Sequence, residues 1–209
     1  MKRLSSLLAL AASLLSCSWL MAAESLPQRW ISSGGSLSEW VVALGGENRL
    51  VGVDSTSQHP QSLRALPSIG YQRQLAAEGM LALRPDILIG SEEMGPPPVL
   101  TQLRDAGVRV EMLSSKADLN SLQASLQRIG TFLGEPQRAD QAFAAYQQRL
   151  QQQADWLLTA QRQQAAPGVL LLLGHAGGSP MVGGKHTSAD WLIERAGGRN
   201  LATHNGFYA

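Results

Sequence analysis

At 209 residues, with 17 Lys and Arg against 16 Asp and Glu, the chain is long enough to bury a sizeable core and close to neutral, with a formal net charge of +1. No run or patch of basic residues suits nucleic acid, and beyond the amino-terminal region no stretch is long and apolar enough to span a membrane. The single cysteine, Cys17, excludes an internal disulfide, so stability must come from the core.

The amino terminus has the pattern of an export signal. Met1-Lys2-Arg3 is basic, Leu7 to Leu15 is short and mostly apolar, and Met21-Ala22-Ala23 is followed by the first acid, Glu24. Residues 1–23 are expected to be a signal peptide, whose removal leaves 15 basic residues against 16 acidic ones. Leu14-Leu15-Ser16-Cys17 offers an alternative, lipid attachment at Cys17. Either route takes the domain across a membrane, and the periplasm is the expected compartment.

Next come short apolar runs alternating with helical patterns, the signature of an α/β fold. Arg29 to Ser32 predicts a strand, Leu37 to Leu44 a helix closed by Gly45-Gly46, and Leu50 to Val53 a second strand. Leu75 to Leu83 predicts a helix that Arg84-Pro85 stops, because the residue before proline avoids the helical region. Ile87 to Gly90, a helix over Val99 to Ala106 and a strand over Val108 to Leu113 follow. Continuous apolar strands separated by helices imply a parallel sheet covered on both faces. Leu119 to Leu133 predicts a helix, and Gln137 to Gln164 one long amphipathic helix of about 42 Å at about 1.5 Å per residue. Val169 to Leu173 is a further strand candidate.

A repeat organises these elements. "GGSLSEWVVALGGENRL", from Gly34, matches "GGKHTSADWLIERAGGRNL", from Gly183, with a Gly pair, a hydroxyl residue, an acid-Trp pair, aliphatics, Gly-Gly and Asn in the same order. Each copy follows a strand candidate, so two α/β units flank the long helix. The expected organisation is an amino-terminal lobe over residues 24–118, a helical connector over 119–166, and the start of a second lobe over 167–209, with small molecules favouring the cleft between lobes. The second unit stops soon after its Gly-Gly, so the second lobe is expected to be incomplete. Trp30, Trp40 and Trp191 fall on strands or apolar helix faces and are assigned to the core.

"SIGYQRQLAAEGMLALRPDILIG", from Ser68, places Tyr71 in a glycine-led loop at the edge of an apolar segment, where a packing role and a cleft-facing role are both open. This stretch, with "SLSEWVVALGGENRLVGVD", "VLTQLRDAGVRV" and "GGKHTSADWLIERAGGRN", resembles the substrate-binding proteins of bacterial ABC importers for siderophores, cobalamin and haem. The shared pattern runs through Glu78, Leu81, Pro85, Asp86 and Ile87 to Ile89. The resemblance implies two α/β lobes with mainly parallel sheets joined by one long helix, a ligand held between them, no enzymatic activity, and delivery of the ligand to an inner-membrane ABC permease. A monomer whose lobes move little relative to each other is expected.

Within that family, Tyr71-Gln72-Arg73 looks like the haem-binding branch, which implies Tyr71 as ligand to haem iron. A phenolate oxygen suits ferric iron. Free tyrosine titrates near pH 10, so the metal and a nearby cation must favour the charged form. Arg73, two residues on, projects to the same side in an extended segment and is expected to hydrogen-bond the Tyr71 oxygen. The resemblance also implies that Glu78 docks against arginines of the permease.

His59, His175, His186 and His204 lack the paired spacing of a zinc site. His175 and His186 lie in Gly-rich loops that could face the cleft, and Lys185 or His186 is positioned for a haem propionate. Met181 is assigned to packing. "GHAGG", from Gly174, lacks the spacing of a phosphate loop, and "GPPP", from Gly95, is a stiff lead-in to a helix. Two rival readings stand beside haem: a siderophore or corrinoid carrier, whose ligand arrives with its own donors, and a periplasmic metalloenzyme built on the scattered histidines.

Overall fold

The computed structural model describes residues 25–174 and 179–208. The predicted export signal, Cys17 and His175 lie outside them.

Four strands form the main sheet: β1 (Trp30–Ser33), β2 (Leu50–Val53), β3 (Ile87–Ser91) and β4 (Arg109–Leu113). They run parallel in the order β2-β1-β3-β4. Alternation along each strand divides the apolar side chains between two cores. Trp30, Ile87 and Ile89 point to one face, under α1 (Gly35–Ala43), α4 (Leu119–Leu133) and α5 (Pro136–Ala160), where Val41, Leu126, Ile129 and Phe143 meet them. Ile31 and Leu88 point to the other, under α2 (Ala77–Ala82) and α3 (Pro97–Asp105), where they join Met80, Leu100 and Leu103. The doubly covered parallel sheet expected from the apolar runs is present.

The Pro85-Asp86 pair that punctuates the sequence has a local structural task. Arg84 adopts a left-handed conformation (φ 49°), which ends α2 without the helical geometry that proline forbids its predecessor. Asp86 then accepts hydrogen bonds from the backbone N–H groups of Gln28 and Arg29 at 2.7 and 2.9 Å, tying the start of β1 to the start of β3. The Arg29 side chain returns the contact, donating to the carbonyls of Leu83 and Arg84.

Helix α4 starts on Asp118, whose side chain accepts from the Ser121 N–H, and ends at Gly134, left-handed at φ 76°. Helix α5, with 25 residues, is a little shorter than the predicted Gln137 to Gln164 and spans roughly 38 Å at about 1.5 Å per residue. Its first turns pack on α4, where Gly130 faces Ala139. Its far end meets the second unit, with the Gln153 and Gln161 side-chain amides donating to the carbonyls of Arg195 and Gly197.

Among its described residues the second unit holds α6 (Ser188–Arg195) and five short strands: β5 (Gly168–Val169), β6 (Leu172–Leu173), β7 (Met181–Gly183), β8 (Arg199–Asn200) and β9 (Phe207–Tyr208). The predicted strand over Val169 to Leu173 is divided, because its two halves have different partners. β5 pairs in parallel with β8, whereas β6 pairs antiparallel with β7, which in turn pairs antiparallel with β9. Met181 is half exposed on β7 and belongs to neither large core. Among the described residues no helix is long and apolar enough to cross a membrane.

Candidate ligand-binding cleft

The carboxyl ends of β1, β3 and β4 open on one hollow of about 480 Å³. In a parallel sheet this is where ligands bind, since the loops leaving the strands diverge there. Gly34 follows β1, Ser91 ends β3, and Ser114 to Lys116 follow β4; all line the hollow. The Gly34 turn is held by Asp54, which follows β2. Its carboxylate is buried and accepts from the Gly34 N–H, the Thr56 hydroxyl and the Ser57 hydroxyl at 2.7–2.9 Å. Gly34 has φ 113°, a backbone conformation that favours glycine, and it lies close to the Gln72 side chain, whose Oε1 would be 3.2 Å from a Cβ there.

Gln72 brings the Tyr71 loop to the cleft wall. Gly70, at φ 87°, turns the chain, and its carbonyl accepts from the Ser55 N–H. Beyond the turn, the Gly95 N–H donates to the Gln72 carbonyl and the Leu75 N–H to the Gly95 carbonyl, at 2.9 and 2.8 Å. The loop is thereby stitched to the turn after β3. Tyr71 stands beside lining residue Gln72 and is 42% exposed, and its hydroxyl has no hydrogen-bond partner among the described residues. It is not a core tyrosine.

Arg73 differs from expectation in its partner. Its Nη2 donates to Glu93 Oε2 at 2.7 Å, and Glu93 lines the cleft. The Glu93 hydrogen bond and charge hold the guanidinium pKa above its usual value, and the Tyr71 phenol adds in the same direction. Arg73 is thus electrostatically linked to Tyr71 while hydrogen-bonded to Glu93. Nothing in the sequence spacing marked Glu93, which stands 20 residues further on.

Three aromatic side chains also line the cleft. Trp40 from α1, Tyr146 from α5 and Trp191 from α6 all line it. Trp40 and Tyr146 meet edge to face with centroids 5.8 Å apart, and the Arg195 guanidinium lies 5.4 Å from the Trp191 ring centre. Two sequence assignments are corrected here. Trp191 is a half-buried cleft residue, and Trp40 is half-buried, packed against the core on one side and lining the cleft as well, whereas Trp30 is fully buried against Phe132. Both cleft tryptophans occupy the same place in the repeat, following an acid on the helix after the Gly pair, and that placement was the available signal.

His186 lines an adjoining hollow of about 430 Å³, which shares Lys116, Asp118 and Trp191 with the main cleft; Lys185, next to it in the chain, lines neither. The Lys185 ammonium is bound to Asp190 at 3.0 Å and to Glu194 at 3.2 Å, which raises its pKa, with Asp190 the larger cause. Asp190 is buried, and the Asn200 amide, the Lys185 ammonium and the His186 N–H hold its carboxyl below the ordinary range. His186 is exposed with a left-handed backbone (φ 61°). His204 is half-buried with its Nε2 near the Val182 carbonyl, and His59 is exposed. Among the described residues no three His, Cys, Asp or Glu side chains gather as a metal site. Glu78 is exposed in the first turn of α2, away from the cleft lining.

The family model for periplasmic binding proteins matches residues 31–209. Among solved structures, a periplasmic haem-binding protein from Pseudomonas aeruginosa is 67% identical with a TM-score of 0.86, over 88% of this chain and 66% of that one. A periplasmic haem-binding protein from Roseiflexus sp. RS-1 is 34% identical with a TM-score of 0.81, over 87% of this chain and 69% of that one. A curated relative, the vitamin B12-binding protein of Pectobacterium carotovorum, is 30% identical over 129 residues, which is 62% of this chain and 46% of the relative. The chain therefore spans about half of that curated relative and about two thirds of the similar structures.

Proposed function

The chain belongs to the periplasmic binding protein family, and from that membership we propose that it carries haem, held in the cleft at the carboxyl ends of β1, β3 and β4, and delivers it to an ABC permease without chemical change. The observation that carries this reading is an exposed tyrosine, Tyr71, next in the chain to cleft-lining Gln72, together with the Trp40, Tyr146 and Trp191 side chains that line the cleft. A ferric porphyrin needs both: an oxygen donor for its iron and a flat apolar surface for its ring. The 67% identity to a haem-binding protein supports the same cargo.

In this reading Tyr71 is the iron ligand and the iron itself promotes loss of the phenolic proton. Arg73, a permanent cation two residues on in the same loop, is the proposed hydrogen-bond donor to the bound oxygen. The Trp40, Tyr146 and Trp191 rings receive the macrocycle. Lys185, held by Asp190 and Glu194, and the exposed His186 are the second unit's candidates for a propionate contact. Glu78, exposed and clear of the ligand, is the docking acid on this lobe. The amino-terminal export signal and the periplasmic compartment belong to the same proposal.

The curated vitamin B12-binding relatives favour a second reading, a corrinoid cargo. The two are separated by titrating the purified protein with hemin and with cyanocobalamin. Hemin is expected to give a high-spin ferric spectrum that collapses in Tyr71→Ala and survives in His186→Ala, with no saturable binding of cyanocobalamin. Tight cyanocobalamin binding, or a hemin spectrum indifferent to Tyr71→Ala, would overturn the assignment.

A further inference from the structure

Arg73 is held by one nitrogen. Its Nη2 donates to Glu93, and no other guanidinium hydrogen bond joins it to the described residues. A guanidinium carries five N–H donors in a rigid fork, so a carboxylate that takes one corner orients the rest. Glu93 is itself placed by backbone: the turn that carries it is tied to the Tyr71 loop through Gly95, which bonds to both Gln72 and Leu75. The distance between Glu93 and the loop is therefore set before any ligand arrives.

We propose that Glu93 is the positioning residue for Arg73, fixing the guanidinium so that its remaining N–H groups are held ready for the oxygen of Tyr71. This rests on Tyr71 being the iron ligand. A partner that orients a group acting on a metal ligand changes how firmly the ligand holds. The unaided Arg73 side chain, long and more than half exposed, would spread over many rotamers and spend little time against the phenol. Glu93 lines the cleft, so the pair it forms with Arg73 sits at the cleft edge.

The test is the rate at which hemin leaves the purified protein for an excess of a haem-scavenging acceptor, followed with the visible spectrum of the bound form. Arg73→Ala is expected to release hemin several-fold faster. Glu93→Ala should accelerate release by a similar factor, and the double variant should be no faster than Arg73→Ala alone. Glu93→Gln keeps an acceptor oxygen and should stay within about twofold of the parent, which a generic loss of surface charge would not produce. Release from Glu93→Ala at the parent rate or slower, or additive effects in the double variant, would overturn the positioning role. Tyr71→Phe separates the two levels: if it releases hemin fast while Glu93→Ala does not, only the positioning role fails; if it releases hemin at the parent rate, the ligand assignment fails and the positioning role with it.

Discussion

Trp40 and Tyr146 meet edge to face at 5.8 Å although they belong to different structural units, one to the first helix of the main sheet and the other to the long helix α5. The contact makes the long helix part of the cleft wall as well as a connector. An edge-to-face pair leaves one ring face available to a third aromatic system, and a porphyrin is such a system.

The wall should therefore recognise the macrocycle independently of its iron. Trp40→Ala is expected to weaken binding of metal-free protoporphyrin about tenfold, the loss of a ring contact worth about 1.5 kcal/mol. Tyr71→Phe should leave that affinity unchanged while weakening hemin. Porphyrin absorbance titrations of the two variants check the crossover.

Glu78 is exposed on α2 and clear of the cleft. Glu78→Arg is expected to bind hemin like the parent but to lose transfer to the permease, because a like charge replaces an opposite one at the contact. Hemin uptake into vesicles carrying the transporter measures delivery, and the hemin spectrum controls for binding.

Gly130 is the point at which α4 and α5 touch. A Cβ there would lie 2.6 Å from Ala139 Cβ and 3.1 Å from the Glu135 carbonyl oxygen, and backbone cannot yield as a flexible side chain does. Gly130→Ala should cost about 1–3 kcal/mol through overpacking. Thermal unfolding should show the midpoint lowered by about 2–4 °C for each kcal/mol. Because α5 carries Tyr146, porphyrin affinity should fall with it.

Asp190 links stability to pH. Its carboxyl is held below the ordinary range by the Asn200 amide first, then by Lys185 and the His186 N–H. A lowered folded value contributes stability above the unfolded pKa, near 3.9, and loses it as pH falls through the folded value. Asp190→Asn should destabilise the protein at pH 7 by about 1–3 kcal/mol, the cost of disturbing buried hydrogen bonds. The gap between variant and parent should shrink as pH is lowered from about 4 towards 2. Denaturant unfolding across that range measures it.

Much of the architecture was legible locally. Apolar runs such as Ile87 to Ile89 declare a buried parallel strand because a doubly covered sheet leaves neither side of the strand polar. Asp118 and Gly134 mark the two ends of α4 by capping chemistry that acts within a few residues. The repeat announced two related units, and the glycine-led loop marked Tyr71 as standing at the edge of an apolar segment.

What escaped was everything that depends on chain segments meeting across the fold. Half-buried tryptophans look like core residues in a helical pattern, since periodicity reports which face is apolar and not whether protein or ligand covers it. The Glu93 partner of Arg73 stands 20 residues away, on a turn that only the β3 geometry brings alongside. The run from Val169 to Leu173 reads as one strand because local propensity is continuous there, and it divides because its two halves find partners running in different directions. Composition and periodicity determine which elements form; which side chains share the cleft is decided by hydrogen-bond pairing and packing between residues far apart in sequence.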